Sequence, residues 1–178
     1  YDTIGGVPRV FDAFNYWFQA KNFSLGQLYA NEPPMPELFR FPFIIMRDGK
    51  WYGSVYPGFS ILLSLGVKLG VPWLINPIIG GLALSGTYLL TRDMFNRELA
   101  RLVVILGLLS PFYRMMCSIF MSHAAATLWV VIAMRMLWLC GKRPERMGLL
   151  KPMTAGIALG FLYITRPQAG AVTMPLLM

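Results

Sequence analysis

Residues 71–90 read VPWLINPIIGGLALSGTYLL, twenty consecutive positions without a charged side chain. A helix of this length, rising about 1.5 Å per residue, covers about 30 Å, the hydrocarbon thickness of a bilayer. A soluble helix needs a polar face at helical period, and a stretch with no charge at all does not supply one. The run therefore predicts a membrane span. Pro77 and the Gly80-Gly81 pair would weaken such a helix in water, but in a membrane small residues let neighbouring helices approach, and packing resatisfies the backbone around a proline.

The same reading extends downstream. Residues 102–113 are twelve uncharged positions bracketed by Arg101 and Arg114, whose long side chains reach opposite interfaces, so a short span is expected there. Residues 115–134 are again uncharged for twenty positions and continue past Arg135 to Cys140, a second strong span. Residues 152–165, then Arg166 and the apolar 167–178, predict a further span or a broken pair. Upstream, 58–69, with Lys68 near its end, is too short to span and is expected at the outer interface. The chain opens on Tyr1 rather than Met and stops at Met178 inside an apolar run, so a fragment is expected.

Composition agrees with a membrane solvent. Of 178 residues, 56% are apolar and only 13% charged, and the mean hydropathy of +0.55 exceeds that of an ordinary soluble domain. The expected fold class is all-α, a polytopic transmembrane helical bundle with an external loop bearing amphipathic interfacial helices. Residues 1–57 form the loop and 58–178 the transmembrane region.

The net charge of +8 could suggest nucleic acid, but its distribution does not. Residues 1–57 carry five basic and five acidic groups, whereas 58–178 carry eleven basic and three acidic ones. The excess concentrates in two connections, 91–101 (Arg92, Arg97, Arg101) and 141–151 (Lys142, Arg143, Arg146, Lys151). By the positive-inside rule both are cytoplasmic, which leaves 1–57 on the outer face of the cell membrane. Cys117 and Cys140 would stand about 35 Å apart on one helix, too far to pair, and two cysteines make neither a disulfide framework nor a zinc site.

Within 10–23, VFDAFNYWFQAKNF, the residues Asp12, Asn15, Gln19 and Asn22 share one helical face, while Phe11, Phe14 and Phe18 follow another. Such a helix would rest its aromatics among lipid headgroups and turn its polar stripe to an aqueous cavity, or else serve as an interfacial anchor without chemistry. The NEPPMP run at 31–36 holds three prolines and predicts a rigid external loop carrying Glu32, with Glu37 just beyond it. Trp51, Tyr52 and Tyr56 fit an aromatic belt or a sugar-stacking surface. His123 and Arg166 fall at outer ends of apolar runs, where an ionisable group needs a cavity, a partner or a lipid phosphate. There is no Walker loop, dinucleotide glycine fingerprint, metal-ligand spacing or serine nucleophile elbow.

The order of these motifs resembles the GT-C superfamily of polytopic glycosyltransferases, especially bacterial relatives of the protein mannosyltransferase and aminoarabinose transferase group (glycosyltransferase family 39-related). The similarity runs along most of the chain, on FDAFNYWFQAK at 11–21, PELFRFPF at 36–43, GKWYGSVYPGF at 49–59, WLINPIIG at 73–80, SPF at 110–112, MSH at 121–123 and TRP at 165–167. It implies an integral membrane enzyme that transfers a sugar from a polyprenyl-phosphate-linked donor to a hydroxyl on a glycan, lipid or protein acceptor. The catalytic base maps onto Asp12, which would take the acceptor proton as the lipid phosphate leaves. The resemblance implies that Asn15, Tyr16, Gln19, Glu37, Arg40, Tyr56, His123 and Arg166 bind substrate. The donor and membrane lipid are the implied partners, nucleic acid is not one, and no cofactor or divalent metal is specified.

Two positions depart from the pattern. Relatives carry Asp-Glu where this chain has Asp12-Ala13, and a lysine before Pro-Pro where it reads Ser54-Val55-Tyr56-Pro57. Phosphate handling would then pass to Arg40, Arg47, Lys50 or Arg166, unless this copy is impaired. A multipass transporter or lipid-handling protein, with the external helix as gate or anchor, is the alternative reading.

Overall fold

The computed structural model describes residues 10–142 and 148–173, which are mostly helical and fall into two compact units. The first comprises Tyr1–Asn76 with Ser118–Met121, the second Pro77–Cys117 with Ser122–Met178.

In the first unit, α1 (Phe11–Ser24) packs on α2 (Pro57–Lys68) and on a three-stranded antiparallel sheet of β1 (Ala30–Asn31), β2 (Ile44–Arg47) and β3 (Lys50–Gly53), ordered β1-β3-β2. Pro57 occupies the first turn of α2, where its missing N–H has no helical partner to lose. The core between the helices is Tyr16 edge-on to Phe59 at 5.2 Å, with Ala20 and Leu63 fully buried. Ala13 is buried on the Tyr16 face of α1, 3% exposed. The β2–β3 hairpin turns on Asp48 and Gly49, both at positive φ (53° and 72°), the geometry that an Asp-Gly pair adopts readily.

The described residues are mostly helical, compatible with the all-α expectation, with one small sheet beside α1 that engages its aromatics. Phe11 and Phe14 pack on Phe41, at 5.3 and 4.7 Å, and Phe18 lies against Trp51 at 4.6 Å. The sheet and the 39–43 loop supply an apolar surface for these rings within the protein.

The apolar run at 71–90 becomes α3 (Pro72–Met94). In the second unit α3 is followed by α4 (Arg97–Leu109), α5 (Pro111–Ser118), α6 (His123–Lys142), α7 (Leu150–Thr165) and α8 (Pro167–Thr173). Asn96 caps α4 by accepting the Leu99 N–H at 2.8 Å. Gly80 lets α5 close on α3, since a Cβ there would sit 2.4 Å from Cys117 Sγ, and the Tyr113 hydroxyl donates to the Gly80 carbonyl at 2.8 Å. Alanines on α6 (124, 125, 126 and 133) and α7 (155 and 158) are buried, with Trp129 stacked on Phe161 at 4.8 Å.

Two helices, Pro72–Met94 and His123–Lys142, are long and apolar enough to cross a membrane, and α4 with α5 would make a third if the pair is one span. That pair is bent by 65°, so the short span expected at 102–113 is interrupted. Pro111 is the cause: it cannot continue the helical ladder and holds Ser110 extended, at φ −66° and ψ 113°. The span expected at 115–134 is likewise split, because residues 119–122 leave helix between α5 and α6. In the first unit the Asn76 amide donates to the carbonyls of Ile119 and, at 3.1 Å, Met121, so the broken ladder is satisfied by a side chain. Cys117 and Cys140 therefore lie on different helices, both as free thiols. The 91–101 connection shrinks to residues 95 and 96, and Arg143 and Arg146 of the 141–151 connection lie outside the described residues.

Candidate functional site

Asp12 is the second residue of α1, half-buried, where a carboxylate meets the positive end of the helix dipole. Among the described residues no ion pair engages it. The stripe that follows it turns inward: Asn15, Gln19 and Asn22 are 0%, 8% and 5% exposed. Loop carbonyls draw it there. Asn15 Nδ2 donates to the Phe43 carbonyl at 2.5 Å, and Gln19 Nε2 to the Val55 carbonyl at 3.3 Å. The stripe is thus a seam between helix and sheet, and Gln19 also reaches a cleft.

The Phe43 carbonyl also accepts the Ser54 N–H at 2.9 Å and the Ser54 hydroxyl at 2.8 Å. Phe43 sits at φ 65°, an unfavourable left-handed conformation for an aromatic residue, and the convergence of donors holds it there. Gly53 makes this approach possible, because a Cβ at that position would fall 2.2 Å from Asn15 Oδ1. Ser54 therefore has a structural task in this chain. Nothing in the sequence marks Phe43, but Asp48-Gly49 between IIMR and KWYG is a hairpin signal that places the strands beside it.

The remaining candidates of the first unit are scattered. Tyr16 belongs to the core against Phe59. Glu37 is exposed in the 3-10 turn Pro36–Phe39, and Tyr56 is exposed as the N-cap of α2. Arg40 lines a shallow cleft of about 380 Å³ with Glu32, Phe41 and Ile44. A second cleft, about 510 Å³, gathers Gln19, Tyr29, Arg47, Lys50 and Tyr52, with Lys50 Nζ 4.9 Å from the Tyr29 ring centroid. Asp12 lines neither.

In the second unit the structure brings His123 and Arg166 together. Arg166 ends α7, and its Nη1 contacts the ring nitrogens of His123 at the start of α6, 3.1 Å from Nε2. Beside it Thr165 is fully buried, its hydroxyl without a partner among the described residues.

At the other end of α3 and α6 lies a cluster that the motif reading did not single out. Asp93 accepts from Arg135 Nε at 3.0 Å and from Arg92 Nη2 at 3.1 Å, and its side chain is 16% exposed. Its carbonyl, one of those left open at a helix C-terminus, accepts from Trp138 Nε1 at 3.2 Å and Lys142 Nζ at 3.3 Å. A sequence signal was available: Arg135 within an apolar run demands a counter-charge, and Asp93 ends the neighbouring run. Among the described residues no group of three or more His, Cys, Asp or Glu could hold a metal ion. No protein-family model, curated protein or solved structure matches the chain.

Proposed function

We propose that this chain is part of a multipass membrane glycosyltransferase that moves a sugar from a polyprenyl-phosphate donor to an acceptor hydroxyl at the outer face of the cell membrane. The observation that carries the reading is the Arg166–His123 pair, a guanidinium fixed where α7 ends and α6 begins. On the orientation drawn from loop charge that end is external, where a cation is suited to a lipid phosphate and to the charge that develops as it leaves. Asp12 supplies the base. Ala13, 3% exposed, stands where the family pattern has a second carboxylate, so in this reading proton transfer rests on a single carboxylate. In this reading α3 and α6 span the bilayer, α4 with α5 forms a broken span and α7 with α8 another.

The test is Asp12→Asn in the full-length protein, reconstituted with lipid-phosphate-linked sugars and assayed for product by mass spectrometry. Transfer should fall by at least about 100-fold at unchanged membrane insertion. Wild-type transfer by the variant would remove Asp12 from the mechanism. The Asp93–Arg135 pair, which ties the end of α3 to α6, favours a second reading, a transporter or lipid-handling protein. Lipid or solute movement in the same vesicles, without any sugar transfer, would select it.

A further inference from the structure

The groove between the ends of α3 and α6 combines two features. Its walls are apolar side chains, Leu90 and Met94 from α3 and Met134 and Leu137 from α6, enclosing about 590 Å³. Trp138 and Lys142 also line it, and both donate to the Asp93 carbonyl. Three cations, Arg92, Arg135 and Lys142, gather around one carboxylate, Asp93, so the cluster is net positive. Arg135 and Arg92 spend their charge on Asp93. Lys142 is exposed, and among the described residues no carboxylate pairs with it. One of its three N–H donors is used on a carbonyl, which fixes the ammonium beside the groove and leaves two donors free for a ligand.

We infer that this groove binds an anionic phospholipid of the cytoplasmic leaflet, with one acyl chain against the Leu90, Met94, Met134 and Leu137 walls and the headgroup phosphate on Lys142. Charge complementarity selects this occupant. A zwitterionic lipid brings its own cation to a site already in cationic excess. The Trp138 indole lines the groove with Lys142, and aromatic rings of this kind settle at the glycerol level of a bilayer. The site rests on the membrane reading and on the orientation drawn from loop charge, and is independent of sugar transfer.

The experiment uses the full-length protein in detergent, titrated with phosphatidylglycerol or phosphatidylcholine and read by native mass spectrometry. Phosphatidylglycerol should be retained in preference to phosphatidylcholine. Lys142→Gln should reduce that preference about five-fold, the effect of losing one cation at a membrane surface. Lys68→Gln, which removes an equal charge at the end of α2, should leave it unchanged. Met94→Trp, which fills the groove from its wall without altering charge, should lower retention of both lipids. Equal losses from Lys142→Gln and Lys68→Gln would reduce the effect to bulk charge and overturn the site, as would full retention by Met94→Trp. Failure of the wild-type protein to remain in carbonate-washed membranes would instead overturn the membrane reading beneath it.

Discussion

Gly53→Ala tests whether the seam between α1 and the sheet holds the first unit together. The added Cβ meets Asn15 Oδ1 at 2.2 Å, with Asn15 Cγ at 3.4 Å and Gln19 Cβ at 3.5 Å, so the Asn15 amide must rotate or the helix must lift. Asn15 is fully buried, and its Nδ2 donates to the Phe43 carbonyl, a bond that a rotation of the amide strains. Overpacking of this kind costs about 1–3 kcal/mol, and the lost hydrogen bond adds about 1 kcal/mol, so a loss of about 2–4 kcal/mol is expected. The measurement is equilibrium urea unfolding of the full-length protein in detergent, followed through tryptophan fluorescence, since Trp51 sits in the sheet beside Phe18. Gly49→Ala is the comparison: it has open space around its Cβ but a φ of +72°, so it carries only backbone strain of about 1 kcal/mol. If Gly53→Ala unfolds within 0.5 kcal/mol of wild type, or costs no more than Gly49→Ala, the seam is not a determinant of stability and the inward reading of Asn15 fails.

Two further predictions concern the apolar helices. Arg135→Leu leaves Asp93 with Arg92 alone, and loss of one charged hydrogen bond in this partly buried site should cost about 2 kcal/mol in thermal unfolding. The double variant Asp93→Leu/Arg135→Leu should recover part of that loss, and a double variant worse than the single would refute the pairing. Gly81→Ala, whose Cβ meets nothing within 4 Å inside α3, should stabilise by about 0.5–1 kcal/mol, whereas Gly80→Ala must displace Cys117 and should destabilise.

Periodicity alone located α1 to within a residue, because Phe11, Phe14 and Phe18 repeat at helical spacing, but it could not tell which side faces inward. That choice was made by partners distant in sequence, the carbonyls of Phe43 and Val55, and a stripe of amides that suits water suits a layer of carbonyls equally well. The sheet was hidden for another reason. Its strands are two to four residues long, too short for alternation to register, although Asp48-Gly49 marks their turn. Charge-free length found α3 and most of α6, since hydropathy depends only on local composition. It passed over two breaks, one signalled by Pro111 and the other, at 119–122, by no glycine or proline at all. Of the candidate site, His123 and Arg166 were legible as ionisable residues at the ends of apolar runs. Asp93 was read as part of a basic connection, because its counter-ion lies 42 residues away.

The second break also bears on how the chain is made. Asn76 is 1% exposed, and the acceptors its amide donates to lie 43 and 45 residues further along. At ribosomal rates of about 5–20 residues per second, Asn76 is made about 2–9 s before Ile119 exists. Through that interval the Asn76 amide does without these two acceptors. The two contacts that tie α3 to this break therefore form only after the residues between α5 and α6 have emerged.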